Sequence, residues 1–187
     1  MHKTIVGLFT VFVTLGAGVT FSQSGREPSL ATDIKAAEIR TVVQAAGGGD
    51  QEIKIVDMGR YNLGVAVLRR GAVKPGATIS GINHTKVTEV YYITSGEGTL
   101  VTGGEVSDIR PLAPDNQLVT TVVGPGANAT FRKPAQVRAV AAGDVIIIPA
   151  GVYHGWREVP DHVEYVSIRP DLDKVLPAGY INPVLKK

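Results

Sequence analysis

The sequence contains 187 residues, with 19 lysines and arginines, 17 aspartates and glutamates, and no cysteine. This length predicts one domain with enough chain to bury a sizeable core. Because the charges nearly balance and the basic residues are scattered, the composition argues against nucleic acid as a partner. The absence of cysteine excludes disulfides and thiolate chemistry.

The first 22 residues have the pattern of a secretory signal peptide. Met1-His2-Lys3 is a short basic start, residues 4–21 carry no charge, and residues 22–24 offer small side chains for cleavage. An uncleaved membrane anchor is the competing interpretation, since the uncharged run is just long enough to span a bilayer. The glycines and threonines of this run make it a poor membrane span and favour cleavage, near Ser22 or at Ala17. We therefore expect export to a periplasm or to the medium.

A linker and one helix are predicted for residues 23–50. Ser29–Ala46 has a modest apolar stripe at helical spacing, and either Ser29 or Thr32 can cap its start. The triplet Gly47-Gly48-Gly49 predicts its end. We expect this helix to pack on the outside of the β structure that follows it, or against a partner subunit.

From Glu52 onward, strand-forming runs alternate with turns rich in glycine and proline, which is typical of an antiparallel β sandwich or barrel. Ile53–Met58 and Tyr61–Leu68 predict a hairpin, and the Arg69-Arg70 pair at its end is interpreted as a solvated strand end rather than an anion site. Further strands are predicted at Thr78–Ile82, Glu89–Thr94, Thr99–Thr102, Leu118–Val122, Ala129–Val140, Val145–Pro149, Tyr153–Glu158 and Glu164–Arg169. Gly103–Pro114, with residues 124–126, predicts a loop at the rim of the barrel.

Three side chains in this region are candidates for a metal site. His84 and Glu89 lie five residues apart, so they cannot share a face of one continuous strand. A turn through Thr85–Thr88 would join two antiparallel strands and direct both side chains at one point. His154 follows a later strand. Two imidazoles and a carboxylate form the ligand set of an open transition-metal site.

The spacing of these residues resembles the two sequence motifs of the cupin family. The first motif is carried by Gly76, Ile82, His84, Glu89 and Gly96, and the second by Gly143, Pro149, Gly151, His154, Trp156 and Glu158. Two positions depart from the family pattern: Ile82 stands where a metal-binding histidine is usual, and Glu158 where asparagine is common.

This resemblance implies an all-β fold, the cupin double-stranded β-helix or jelly-roll barrel, over residues 51–170. A short N-terminal helix precedes the barrel and residues 171–187 form a C-terminal tail. The resemblance also implies a homodimer.

The resemblance further implies that His84, Glu89 and His154 bind a divalent transition metal, which is Fe, Mn, Ni, Cu or Zn. Strand alternation adds Ile82, Tyr91 and Trp156 as residues that line the cavity or bind substrate. The alternative for the three polar residues is a hydrogen-bonded cluster that remains after loss of the metal. His162 beside Asp161 is left out of the site.

Three functions stay open, because a fold does not determine a function. The first is an exported metal-dependent enzyme, oxygenase-like or isomerase-like, that acts on a small organic molecule. The second is a non-catalytic module that binds a small molecule or a metal, and the third is a structural barrel that has lost its metal. A small molecule is thus the expected partner, with a membrane involved only if the signal segment stays uncleaved.

Overall fold

The computed structural model describes residues 30–186, so the predicted signal peptide and most of the linker lie outside the described residues. Within that range no helix has the length and apolar character needed to cross a membrane. The helices are α1 (Ala36–Ala46), a π-helix (Leu118–Val123) and a 3-10 turn (Pro183–Leu185). The strands are β1 (Gly49–Asp57), β2 (Asn62–Val73), β3 (Ser80–His84), β4 (Glu89–Pro111), β5 (Gly126–Ala141), β6 (Val145–Ile148) and β7 (His154–Asp171). The prediction of an all-β fold with a short N-terminal helix is confirmed.

The strands pair antiparallel in the order β1-β2-β7-β3-β5-β4-β6, and a further ladder joins β7 to β4. That last ladder closes β7, β3, β5 and β4 into a ring. The ring is the barrel that the many short alternating segments predict. The predicted hairpin near the N-terminus is present as β1 and β2, whose ends meet at the Asp57 and Asn62 pair.

One apolar cluster forms the core inside the barrel. Its buried members are Leu68, Tyr91, Ile93, Leu100, Val140, Ile146, Ile148, Val159, Val163 and Tyr165. Each fully buried aliphatic side chain of this kind contributes about 1.5–3 kcal/mol relative to an exposed one. The cluster holds together the strands that carry the polar site described below.

Helix α1 is shorter than predicted and packs outside the barrel, as expected. Its first residue is Ala36, because Lys35 takes the cap position and the Glu38 carboxylate accepts a hydrogen bond of 2.8 Å from the Lys35 backbone N–H. Thr32 is therefore not the cap. Gly47 ends the helix in the left-handed conformation with φ 62°, and Val42 packs on β1 and β2.

Two predictions between the motifs are wrong. Leu118–Val122 forms the π-helix instead of a strand, because Asn116 accepts backbone hydrogen bonds at its start and Val119, Val122 and Val123 are buried together. A short apolar run does not distinguish strand from helix by its period. The predicted rim loop Gly103–Pro114 mostly continues β4, which pairs with β5 through Pro111.

The continuation of β4 depends on close backbone contact at Gly104. A Cβ atom at this position would lie 2.2 Å from the Lys133 carbonyl oxygen, and its φ is 99°. Only glycine fits there without strain. Glycine therefore extends a strand at a place where its presence predicts a loop.

Candidate metal centre

The structure brings His84, Glu89 and His154 to one point inside the barrel. His84 ends β3, Glu89 begins β4 and His154 begins β7, and all three side chains are buried. The Glu89 Oε2 atom lies 3.2 Å from His84 Nε2 and 3.1 Å from His154 Nε2. One possible ligand atom from each residue lies within 4.8 Å of the others.

The route by which His84 and Glu89 meet differs from the predicted hairpin. Residues 85–88 do connect the two strands, but β3 forms ladders with β5 and β7, whereas β4 begins between β6 and β7. The connection joins two strands that do not pair with each other, and a hydrogen bond of 2.8 Å from the Thr85 backbone N–H to the Pro125 carbonyl holds it in place. The convergence was predictable, and the pairing that produces it was not.

The ring of His154 is oriented for coordination through Nε2. Its Nδ1 lies 3.1 Å from the Val152 carbonyl oxygen, which can only accept, so Nδ1 donates there and Nε2 is the ring atom that faces Glu89. Such a backbone contact is the usual support of a metal-binding histidine. His84 is also suited to coordination, because burial lowers its pKa and leaves the imidazole neutral at pH 7.

The two oxygens of Glu89 have separate roles. Oε1 accepts hydrogen bonds from Ser167 Oγ at 3.1 Å and from Arg169 Nη2 at 2.8 Å. Oε2 accepts one from the Tyr91 hydroxyl at 2.9 Å and faces both imidazoles. Burial acts to raise the pKa of Glu89, yet the Arg169 charge holds it well below its ordinary value. Glu89 is therefore a carboxylate with one oxygen directed at the site.

Arg169 is the central residue that the sequence analysis missed. It is fully buried, and besides Glu89 it binds Asp50 Oδ2 at 2.5 Å and Glu52 Oε2 at 3.2 Å. Burial raises the pKa of Glu52 to about 8, so this third carboxyl is largely protonated at pH 7. A charged residue at the inward parity of an apolar strand, two places after Ser167, is the signal that could have found it.

A cavity of about 440 Å³ opens beside the three polar residues. Ile82, Tyr91 and Trp156 line it together with His84 and His154. Ile82 is the strand partner of His154, so an aliphatic side chain occupies the position next to the imidazole where the family pattern has a histidine. Tyr91 also belongs to the apolar core, and burial raises its pKa well above the ordinary value, so its hydroxyl keeps the proton that it donates to Glu89.

The spacing of the polar atoms fits a bound metal ion. Bonds of about 2.0–2.2 Å from nitrogen and oxygen to one ion place neighbouring ligand atoms about 3–3.5 Å apart. The two distances from Glu89 Oε2, 3.1 and 3.2 Å, fall in that range. Hydrogen bonds have similar lengths, so the geometry also suits the metal-free cluster considered above.

His162 lies apart from this site. Its Nδ1 contacts Asp161 Oδ2 at 2.6 Å and its Nε2 contacts Ser95 Oγ at 3.2 Å. Neither partner lines the cavity.

Comparison with known proteins establishes the family. The sequence model of the cupin family matches residues 51–179. The chain belongs to the cupin family. The barrel formed by β7, β3, β5 and β4 is thus the double-stranded β-helix of a cupin, as the sequence motifs imply.

Solved structures similar to this cupin are distant. A protein of Bacillus halodurans is 14% identical with a TM-score of 0.48, and the match covers 83% of this chain and 91% of that one. The DMSP lyase DddQ of Ruegeria pomeroyi is 16% identical with a TM-score of 0.36, over 67% of this chain and 45% of that one. The 11S globulin of Wrightia tinctoria is 14% identical with a TM-score of 0.40, over 66% and 25%. A search of curated proteins finds no match.

Proposed function

We propose that this cupin is an exported metal-dependent enzyme that acts on a small organic molecule. His84, Glu89 and His154 hold a divalent transition metal, which is Fe, Mn, Ni, Cu or Zn. The observation that carries the proposal is the convergence of two Nε2 atoms on Glu89 Oε2, beside a cavity that can admit a ligand. Pockets of this kind, apolar with a few convergent polar groups, are typical binding sites.

A metal ion held by these three residues would supply Lewis-acid chemistry or would activate bound water or O₂, and we propose that the chemistry is oxidative. The chain supplies the rest of the site. Arg169 and Ser167 occupy Glu89 Oε1, which leaves only Oε2 for coordination. Tyr91 restrains Oε2 through its hydroxyl, and Ile82 adds no ligand, so two or three positions stay open to substrate or solvent.

We also propose that two copies of the chain associate through the outer face of β4, β6 and β7. Tyr92, Val145, Ile147 and Ile168 are exposed there, although all are apolar. Tyr92 is the strand partner of Val145, and Val90 pairs with both Ile147 and Ile168, so the four side chains form one surface. Light scattering tests this: a monomeric mass contradicts it, and a dimer that Ile147→Lys dissociates supports it.

Metal analysis of protein purified without chelator is the decisive experiment. We expect about one equivalent of a transition metal in the wild type, as one open site requires, and its loss in His84→Ala and in His154→Ala. His162→Ala is the matched control, since its imidazole lies outside the cavity. N-terminal sequencing of exported protein tests the signal peptide, and a start at Met1 contradicts it.

Two other functions are alternative outcomes of the metal analysis and of substrate screening. A protein that binds metal but turns over no substrate is a binding module, which the departure at Ile82 favours. A protein that takes up no metal even after reconstitution is a structural barrel or a module that binds a small molecule without metal, and its three polar residues are then a hydrogen-bonded cluster around Glu89.

A further inference from the structure

Arg70 lies on the cavity wall, where no part of the proposed metal chemistry uses it. Successive side chains of a strand point to opposite faces, and the two neighbouring arginines of β2 follow this rule. Arg69 forms an ion pair of 3.2 Å with Glu164 and does not line the cavity. Arg70 lines the cavity together with Leu68. The expected solvated strand end thus describes Arg69 better than Arg70.

The guanidinium of Arg70 has no carboxylate partner in the described part of the chain. Between residues 30 and 186, no carboxylate oxygen lies within the 4.0 Å that defines an ion pair with Arg70. Its polar neighbour is Tyr165, whose presence raises the pKa of the guanidinium. Arg70 is also exposed, so it lies where the cavity meets solvent and is accessible to a ligand.

The charges around the cavity balance one another without a metal, so a bound metal would make the cavity favour a negative ligand. The Asp50 and Glu89 carboxylates are matched by the Arg169 and Arg70 guanidiniums, while Glu52 is mostly uncharged at pH 7 because its pKa is about 8. A divalent ion at the proposed site then adds two positive charges. In a half-enclosed space these charges attract anions more strongly than they would in open water.

Much of the remaining wall is apolar, although Asp50, Thr78, Ser80 and Asn128 also line the cavity, and this apolar part determines which ligand body fits. The apolar side chains that line the cavity are Leu68, Val73, Ile82, Leu118, Val123 and Trp156. The volume of about 440 Å³ falls within the range of about 300–1,000 Å³ that is typical of small-molecule sites. The apolar part of the wall can bury a hydrocarbon or aromatic body.

We propose that Arg70 is the anion-binding residue of this cavity and that the substrate class is small organic carboxylates with an apolar body. The planar guanidinium matches a carboxylate with two parallel hydrogen bonds. The body of the ligand lies against the apolar wall and its other end faces His84 and His154. That the bound carboxylate is a substrate rests on the proposed function. The contact of the carboxylate with Arg70 does not require the metal.

Calorimetric titration of benzoate against its uncharged analogue benzamide tests the proposal. The proteins are the wild type, Arg70→Gln and the matched control Arg69→Gln, each in metal-free and metal-loaded form. Trp156 is the one tryptophan of the sequence and lines the cavity, so its fluorescence reports whether the ligand binds there. Inorganic phosphate, which has no apolar body, is the third ligand.

We expect benzoate to bind the wild type and Arg69→Gln with equal affinity and to change the Trp156 fluorescence. Loss of a charged hydrogen-bonding pair should weaken benzoate binding to Arg70→Gln about tenfold or more, with benzamide unaffected. Equal benzoate affinity in Arg70→Gln and the wild type overturns the role of Arg70. Phosphate binding as tight as benzoate binding overturns the assignment of an apolar body.

The metal-free arm separates this inference from the proposed metal site. If no metal binds but benzoate affinity still depends on Arg70, the anion site stands and the metal-dependent function fails. If metal binds normally in Arg70→Gln and benzoate affinity is unchanged, the anion site fails and the metal centre stands. Arg70 is exposed, so Arg70→Gln should fold, and matching thermal unfolding curves verify that it does.

Discussion

Replacement of Glu52 by glutamine should remove a pH dependence from the stability of the protein. Burial raises the pKa of Glu52 from an ordinary value of 4.5 to about 8. A raised pKa means that the folded state holds the proton more tightly than the unfolded chain does. The resulting stabilisation is complete below pH 4.5 and is lost progressively as the pH rises toward 8.

The size of this effect follows from the linkage between proton binding and folding. One proton contributes about 1.4 kcal/mol per pH unit inside that window, so about two pH units give about 2.7 kcal/mol. Between about pH 5.5 and pH 7.5, the wild type should lose this much free energy of unfolding relative to Glu52→Gln. The comparison uses the difference between the two proteins because buried His84, whose pKa is lowered, has the opposite effect on the free energy of unfolding below its ordinary pKa of 6.5. That effect is the same in both proteins and cancels.

Urea unfolding of metal-free protein at a series of pH values, followed by Trp156 fluorescence, measures both free energies. Glu97→Gln is the control, since Glu97 is exposed and its variant should run parallel to the wild type. A constant difference in the free energy of unfolding between Glu52→Gln and the wild type is compatible with the prediction, because the prediction concerns only the slope of that free energy against pH. Parallel curves for these two proteins across the window would refute the reasoning.

Three further predictions concern single side chains. Arg169→Met leaves buried carboxylates without their cation and should lower the free energy of unfolding by about 3–5 kcal/mol, measured by urea unfolding. Gly126→Ala places a Cβ atom 2.0 Å from the Asn83 carbonyl and should cost about 1–3 kcal/mol, whereas Gly71→Ala meets no atom within 4 Å. Ile82→His adds an imidazole beside His154 and should tighten metal binding in a chelator competition.

Each of these has a result that would contradict it. If Arg169→Met is as stable as the wild type, the prediction is wrong, and Asp50 and Glu89 take up protons at little cost when Arg169 is absent. Equal melting temperatures for the two alanine variants mean that the contact between β3 and β5 relaxes freely. Unchanged metal affinity in Ile82→His shows that the side chain at this position does not reach the metal.

The sequence predicted the fold and the meeting of three site residues because both follow from local patterns. Alternation and turn residues indicate the strands, and the spacing around His84 and His154 is specific enough to suggest the family. Strand pairing is not local. The four residues after His84 suit a hairpin, but the structure uses them to cross between strands that never pair.

Arg169 illustrates the other limit of prediction from sequence. An arginine near the end of a strand is ordinarily solvated, and its burial depends on carboxylates more than a hundred residues away in the chain, at Asp50 and Glu52. No local pattern links these three positions. The parity of Arg169 with Ser167 and Tyr165 was visible in the sequence, but only the fold reveals that the partners are there.

The origin of His84, Glu89 and His154 on three different strands has a consequence for how the protein survives in its surroundings. An ion bound to all three would cross-link β3, β4 and β7 in the native state alone, because the unfolded chain holds these residues far apart. At a free metal concentration about one hundred times the dissociation constant, this adds about 2.7 kcal/mol to stability. The lifetime of the folded protein would then depend on the supply of trace metal in its surroundings.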